Sequence, residues 1–234
     1  MACSALPIVP TDQTMLNTYL NLTTISEWIT FLAALFLLKS RTGLWRLLIP
    51  VLALTVIAEF VGWYLTFIAR LPNNAAPYNF LLLVNGIGML YLLGSAPPLG
   101  TIHQPASHMV KLVLAGFLAF GLINLCWLQG LNRYNYYTEV VADLLTAVLS
   151  CYVLFRMLWG ETYVELFRNE YFWLANGLLF SSLGSILLYI FINALREYWR
   201  QRGVNVYGYI NYTVNLLLYG SLIIAMLCRN RTTR

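Results

Sequence analysis

Seven apolar stretches alternate with short polar connections along the chain. They run Leu20–Leu38, Leu47–Ile68, Tyr78–Leu93, Met109–Leu128, Thr138–Leu158, Tyr171–Leu195 and Val206–Cys228. A membrane helix needs about 20 predominantly apolar residues to cross a hydrocarbon core of ~30 Å, and each stretch reaches or approaches that length. The third is the shortest and carries Asn79 and Asn85. The pattern predicts an all-α, polytopic membrane protein. Its fold class is a seven-transmembrane-helix bundle, with one membrane domain over residues 20–228, a short segment 1–19 before it and a basic tail 229–234 after it.

The punctuation supports that division. Pro72, Pro77, Pro97, Pro98 and Pro105 fall between or at the edges of the stretches. Only Pro50 lies inside one, in the first turn, where a missing N–H is tolerated. Trp45, Trp159 and Trp173 lie at one set of span ends and Trp127 and Trp199 at the other, the arrangement of two interfacial aromatic belts. With the N-terminus outside, nine basic residues fall on the inner side (Lys39, Arg41, Arg46, Lys111, Arg156, Arg168, Arg229, Arg231 and Arg234). Five fall outside (Arg70, Arg133, Arg196, Arg200 and Arg202). The positive-inside rule then predicts an outer N-terminus and a cytoplasmic C-terminus. The loop Arg196–Arg202 is the dissenting element.

Composition agrees with the pattern. Of 234 residues, 60% are hydrophobic and 10% charged, against roughly 45–50% apolar and about 25% charged in soluble domains. Mean hydropathy is +0.69. These values exclude a disordered chain, a nucleic-acid-binding domain and an ordinary cytosolic enzyme. The net charge of +5 is no sign of a nucleic-acid partner, because nearly all of its 12 Arg and 2 Lys flank the spans. The first 19 residues contain no Lys or Arg and so lack the basic start of a signal peptide. Cys3, Cys126, Cys151 and Cys228 have no metal-ligand spacing, and no apolar run precedes Cys3 as a lipobox would require.

Ionisable groups inside a span cost about 2.5–3.5 kcal/mol each on insertion scales and therefore face the bundle interior. At ~1.5 Å per residue, Glu27 lies roughly 10 Å below the outer surface, and Glu59, on a span running outward, about 12 Å below it. Asn85, Asp143, Asn211 and Asn215 fall at roughly 8–14 Å on the same scale. Glu139 and Asp143 are i,i+4, as are Asn211 and Asn215, so each pair shares a helix face. Tyr64, Asn79 and Tyr137 sit above that layer.

The expectation is a ligand-binding polar pocket open to the outside. Glu59, Asp143, Glu27, Glu139, Asn79, Asn85, Asn211, Asn215 and Tyr64 line it, and Glu59 and Asp143 are its deepest acids. No basic residue shares the layer; Arg70 and Arg133 at the mouth are the nearest candidates. Such acids are held protonated or attract a cation or hydrogen-bond donor. The alternatives are plainer. Glu139 sits where a helix dipole favours an acid and water is within reach. The asparagines can act as interhelical glue, and the runs Gly86-Ile-Gly88 and Ser181–Ser185 as small residues for close packing.

Chemistry that is missing narrows the function. His103 and His108 are the only histidines, there is no HExxH or GxSxG, and the last span lacks the lysine of a retinal Schiff base. No catalytic residue, metal site or cofactor is expected, and the reading is non-enzymatic. The acidic cluster Glu161, Glu165 and Glu170, with Arg156 and Arg168, reads as a solvated helix end at the inner side.

The run Glu59-Phe-Val-Gly-Trp-Tyr64 followed by Asn79, the pair Phe172-Trp173 with Tyr189 later, and Asn211…Asn215-Leu-Leu-Leu-Tyr219 resemble uncharacterised seven-span membrane proteins of Bacteroidetes. Those proteins tend to be encoded near histidine kinases. The resemblance implies a sensory or signalling accessory in the inner membrane, with a small-molecule or cation ligand, a cytoplasmic partner such as a histidine kinase, and lipid around it. A proton- or cation-coupled secondary transporter is the alternative, and a non-catalytic scaffold or assembly subunit is the third.

Overall fold

The computed structural model describes residues 21–39, 43–71, 73–96, 108–159 and 165–232, and every regular element among them is helical. In chain order these are α1 (Leu22–Leu38), α2 (Leu48–Trp63), α3 (Ala75–Gly94), α4 (His108–Ile123), α5 (Tyr136–Trp159), α6 (Glu170–Ile190), α7 (Ile192–Arg202) and α8 (Val206–Thr232). A 3-10 turn, Leu44–Leu47, leads into α2, and π-turns Tyr64–Ile68 and Asn124–Leu128 extend α2 and α4. Six of these helical stretches are long and apolar enough to cross a membrane, and α1 is a shorter apolar helix. The chain has the build of a multi-pass membrane protein.

Local chemistry sets several of the boundaries. Asn21 caps α1 by accepting the Thr24 backbone N–H at 3.0 Å, and Asn169 caps α6 by accepting from Tyr171 at 2.8 Å and Phe172 at 3.4 Å. Both satisfy N–H groups that a helix start leaves without partners. The third span, short in sequence, gains a first turn that includes Pro77 and becomes a full helix of 20 residues. Proline fits there because first-turn N–H groups have no helical acceptor.

The sixth span is corrected. It stops at Ile190, not Leu195, and Phe191 breaks it with φ −96° and ψ 6°. The end of that predicted span and the predicted loop Arg196–Arg202 together form α7, an 11-residue amphipathic helix closed by Gly203 at φ +69°. The left-handed residue lets its end turn, as glycine does without a Cβ clash. Tyr198 and Trp199 are exposed on α7, and Arg200 pairs with Glu197 at 2.6 Å. Hydrogen bonds from Gln201 and Arg200 hold the Glu197 carboxyl below its usual range. Its exposed aromatic and basic side chains are the make-up of a helix that lies along a membrane surface.

The spans pack as a closed ring: α1 on α2, α2 on α3, α3 on α5, α5 on α6, α6 on α8, and α8 back on α1. Helix α4 stands outside it, against α3 and α5, and buries only Phe117 and Gly121. Gly86 and Gly88 make α3 a two-sided joint. A Cβ on Gly86 would lie 2.8 Å from the Phe117 ring of α4, and one on Gly88 would lie 2.8 Å from Val51 of α2.

One apolar cluster closes one end of the ring. It contains Leu38 of α1, Leu48 and Leu52 of α2, Leu93 of α3, Val153 of α5, Leu174 of α6, and Leu222 and Met226 of α8. The cluster takes the C-terminal halves of α1, α3, α5 and α8 and the N-terminal halves of α2 and α6, so successive crossings alternate in direction. Trp45 belongs to this core. It is 3% exposed and meets the Tyr171 ring edge-on at 5.5 Å, which removes it from the aromatic belt expected of it. Trp127, Trp159 and Trp199 are exposed as that belt requires.

Candidate functional site: acids capped by hydroxyls

The opposite half of the ring holds the polar side chains, and they fall into two groups. In the first, Glu27 of α1 accepts a hydrogen bond from Tyr219 of α8 at 3.2 Å. Glu59 of α2 accepts one from Tyr78 of α3 at 3.3 Å. Glu27 and Glu59 lie within electrostatic reach of each other, and Tyr219 lies within reach of both. In the second group, Tyr189 of α6 donates to Glu139 of α5, Tyr134 bonds the same carboxyl from the connection before α5, and Ser182 of α6 bonds Asp143. Burial, then Glu139 beside it, pushes the Tyr134 phenol above the usual tyrosine range, so it remains a donor.

Helix geometry produces both groups. Glu139 and Asp143 share a face of α5, and Ser182 and Tyr189, two turns apart on α6, face them. On α8, Asn211, Asn215 and Tyr219 repeat every four residues as one polar stripe. Gly62 makes the first group possible: it stands one turn beyond Glu59, and a Cβ there would come within 2.7 Å of the Tyr78 ring.

No cation enters the layer among the described residues. The ion pairs there are Arg168–Glu165 and Arg200–Glu197, both on exposed surfaces. Arg70 and Arg133 are exposed on their connections and pair with none of these acids. Meanwhile Glu27 Oε2, Asp143 Oδ2 and Asn85 Oδ1 are buried and accept no hydrogen bond. A buried acceptor left without a donor costs about 1–3 kcal/mol. Glu27 is the sharpest instance, being only 4% exposed.

Several expected lining residues do other work. Asn79 is fully buried and satisfied. Its amide donates to the carbonyls of Arg133 at 2.8 Å and Leu131 at 3.4 Å, and its oxygen accepts from Asn135 N–H at 3.0 Å. It clamps the α4–α5 connection onto the start of α3. Tyr64, in the π-turn, is 47% exposed and stands outside both groups. Asn215 donates back to Asn211 along its own helix, at 2.9 Å to the carbonyl and 3.2 Å to the side chain. The two asparagines therefore join one helix to itself. Glu170, expected in a solvated helix end, is buried at the start of α6, while Glu165 and Arg168 are exposed. Glu161 and His103 lie outside the described residues, and His108 opens α4 exposed.

The hydroxyl donors Tyr78, Tyr134, Tyr189, Tyr219 and Ser182 went unassigned at the level of sequence. For Tyr219 the signal was there: it continues the Asn211, Asn215 spacing by one more turn. A further polar knot, Asn124 donating to Gln129 at 2.9 Å and to Thr138 at 2.8 Å, ties the end of α4 to α5. Among the described residues no group of three or more His, Cys, Asp or Glu side chains could hold a metal ion. The chain matches no protein-family model, no curated protein and no solved structure.

Proposed function

We propose that this protein is a ligand-sensing accessory of the bacterial inner membrane. It crosses seven times with its N-terminus outside and its C-terminus in the cytoplasm. The acid layer in its outer half takes a small cation or a compact hydrogen-bond donor, and the bound state biases a cytoplasmic signalling partner such as a histidine kinase. The observation that carries this reading is Glu27: nearly fully buried, one oxygen held by Tyr219, the other without a donor, and a second acid, Glu59, within electrostatic reach. A ligand bridging Glu27 and Glu59 would set the spacing of α1 and α2. Those two helices also enter the apolar core at the other end, so a preference for one spacing reaches the inner connections. Any signal requires that preference to differ between the two arrangements.

The test is thermal unfolding of the purified protein with sodium, potassium, ammonium and small organic amines, for wild type and Glu27→Gln. A ligand at a hundred times its Kd stabilises by about 2.7 kcal/mol. The expected result is a Tm increase with one of these cations in wild type and none in Glu27→Gln. Identical curves for both proteins would leave the layer as a scaffold that only holds helices together.

A second reading, a proton- or cation-coupled secondary transporter, is favoured by the pairing of two carboxyls from adjacent helices without a fixed cation. Flux assays in proteoliposomes separate the two. Gradient-dependent uptake that disappears in Glu59→Gln would establish transport and displace sensing.

A further inference from the structure

A groove of about 650 Å³ opens on the outer flank of α1 and α2, at the end of the bundle opposite the acid layer. Leu32 and Phe36 of α1 and Ile49 and Pro50 of α2 line it, and Lys39 and Arg46 stand together at its head. Its size falls in the ~300–1,000 Å³ range of small-molecule sites. Phe36 is 82% exposed, so the apolar part opens sideways to whatever surrounds the helices. In a membrane-spanning chain that is lipid.

The basic head is built in place. The 3-10 turn Leu44–Leu47 brings Arg46 back over the end of α1, where its Nη2 donates to the Lys39 carbonyl at 2.8 Å. That carbonyl is among those a helix end leaves without intrahelical partners. A guanidinium carries five N–H donors in a fixed fork, and one bond to Lys39 leaves the rest of the fork unspent. The next residue down-chain of the turn's start, Trp45, is locked in the core against Tyr171, which fixes the turn that presents Arg46. The acids of α1 and α2, Glu27 and Glu59, lie in the other half; Glu27 is twelve residues from Lys39, roughly 18 Å along the helix. Neither can neutralise the pair.

We infer that this groove is a binding site for one anionic phospholipid, its phosphate held by Arg46 and Lys39 and an acyl chain laid along Leu32, Phe36, Ile49 and Pro50. Two cations that make no ion pair among the described residues, at the head of an apolar channel open to the bilayer, match that one molecule in both charge and shape. A free phosphate would satisfy the head and leave the channel empty. A zwitterionic lipid would fill the channel and bring its own cation to the head.

The experiment is native mass spectrometry of the full chain in neutral detergent, titrated with dioleoylphosphatidylglycerol and, separately, dioleoylphosphatidylcholine. Wild type is expected to retain one phosphatidylglycerol at least tenfold more tightly than phosphatidylcholine. Lys39→Gln leaves the Arg46 bond to the helix end intact and should cut that preference at least threefold. Leu35 also lines the groove, and Leu35→Trp, which fills it with both charges kept, should lower retention of phosphatidylglycerol to the same degree.

Arg200→Gln with Arg202→Gln, which removes two charges from α7, should change nothing. Equal retention of the two lipids by wild type overturns the site. So does a loss of preference in the α7 variant as large as that in Lys39→Gln, since general surface charge would then explain it. Displacement of the lipid by millimolar inorganic phosphate overturns it as well, by making the ligand a soluble anion.

Discussion

At the Lys39 end of the ring the helices meet through leucine, methionine and valine; at the other end they meet through carboxyls and hydroxyls. Leu93, Leu174 and Met226 are fully buried in the apolar cluster of the first end. Glu27 is almost as deeply buried and faces a tyrosine, a second acid and an unfilled hydrogen-bonding position. Each half leaves buried polar atoms without partners: in the first the Trp45 N–H and the Ser95 and Ser150 hydroxyls, in the second three acceptors, two of them carboxyl oxygens. A chain that sought only stability would replace such a layer with apolar residues of similar volume, a change that is often neutral or stabilising. The asymmetry is therefore the strongest physical reason to place function at the acid end.

The largest effect should come from the apolar end. Leu93→Ala removes a fully buried side chain where six helices converge, and about 2–5 kcal/mol of stability should be lost with it. Leu187→Ala, on the exposed face of α6, should change stability by less than about 0.5 kcal/mol. Unfolding curves in detergent measure both. If Leu93→Ala proves as mild as Leu187→Ala, the apolar cluster is not what holds the ring shut.

The next prediction crosses to the acid end. Gly62→Ala puts a Cβ into the Tyr78 ring, so the ring must swing and the phenol leaves Glu59. Overpacking of this kind costs about 1–3 kcal/mol, and any cation-dependent rise in Tm should shrink with it. A stabilised Gly62→Ala with an unchanged cation response would show that Tyr78 does not shape the layer.

A comparable effect, of a different kind, is expected at Asn79. Asn79→Ala strips the acceptor from Asn135 N–H and the donor from the Arg133 and Leu131 carbonyls. About 1–3 kcal/mol should be lost, and amide exchange at Asn135 should quicken. Because the clamp lies apart from Glu27 and Glu59, ligand response should survive. Loss of response with the clamp would return Asn79 to the site.

What sequence made legible follows from which forces act along the chain and which act between elements. Span length and apolar content are one-dimensional, and so the all-helical build with six membrane-length apolar helices could be read directly. The closure of the ring, with α4 left outside, depends on which faces meet, and a helix apolar on all sides advertises no face. The same holds for Trp45: an aromatic at a span end looks identical in sequence whether it turns to the bilayer or to Tyr171. The bonds of Asn79 were not legible because its partners come from a connection more than fifty residues away. The break at Phe191 carries no glycine or proline; only the amphipathic run after it could have marked α7.

The smallest predicted effect is the most informative about the border between the halves. The ring of Tyr219 belongs to the apolar cluster, while its hydroxyl reaches Glu27 in the acid layer. Tyr219→Phe keeps the ring and deletes that one bond, at a loss of about 0.5–1.5 kcal/mol, or nearer ~0.6 kcal/mol if it behaves like the average hydrogen bond measured between membrane helices. In a Glu27→Leu background the hydroxyl has lost its acceptor, so the same substitution should be close to neutral or slightly stabilising. A cycle of the four proteins, read as unfolding free energies, isolates the coupling. Equal losses in both backgrounds would make Tyr219 an ordinary core ring whose hydroxyl does nothing for Glu27. Coupling confined to the Glu27 background would make it the side chain through which a change at the acids is felt by the apolar end.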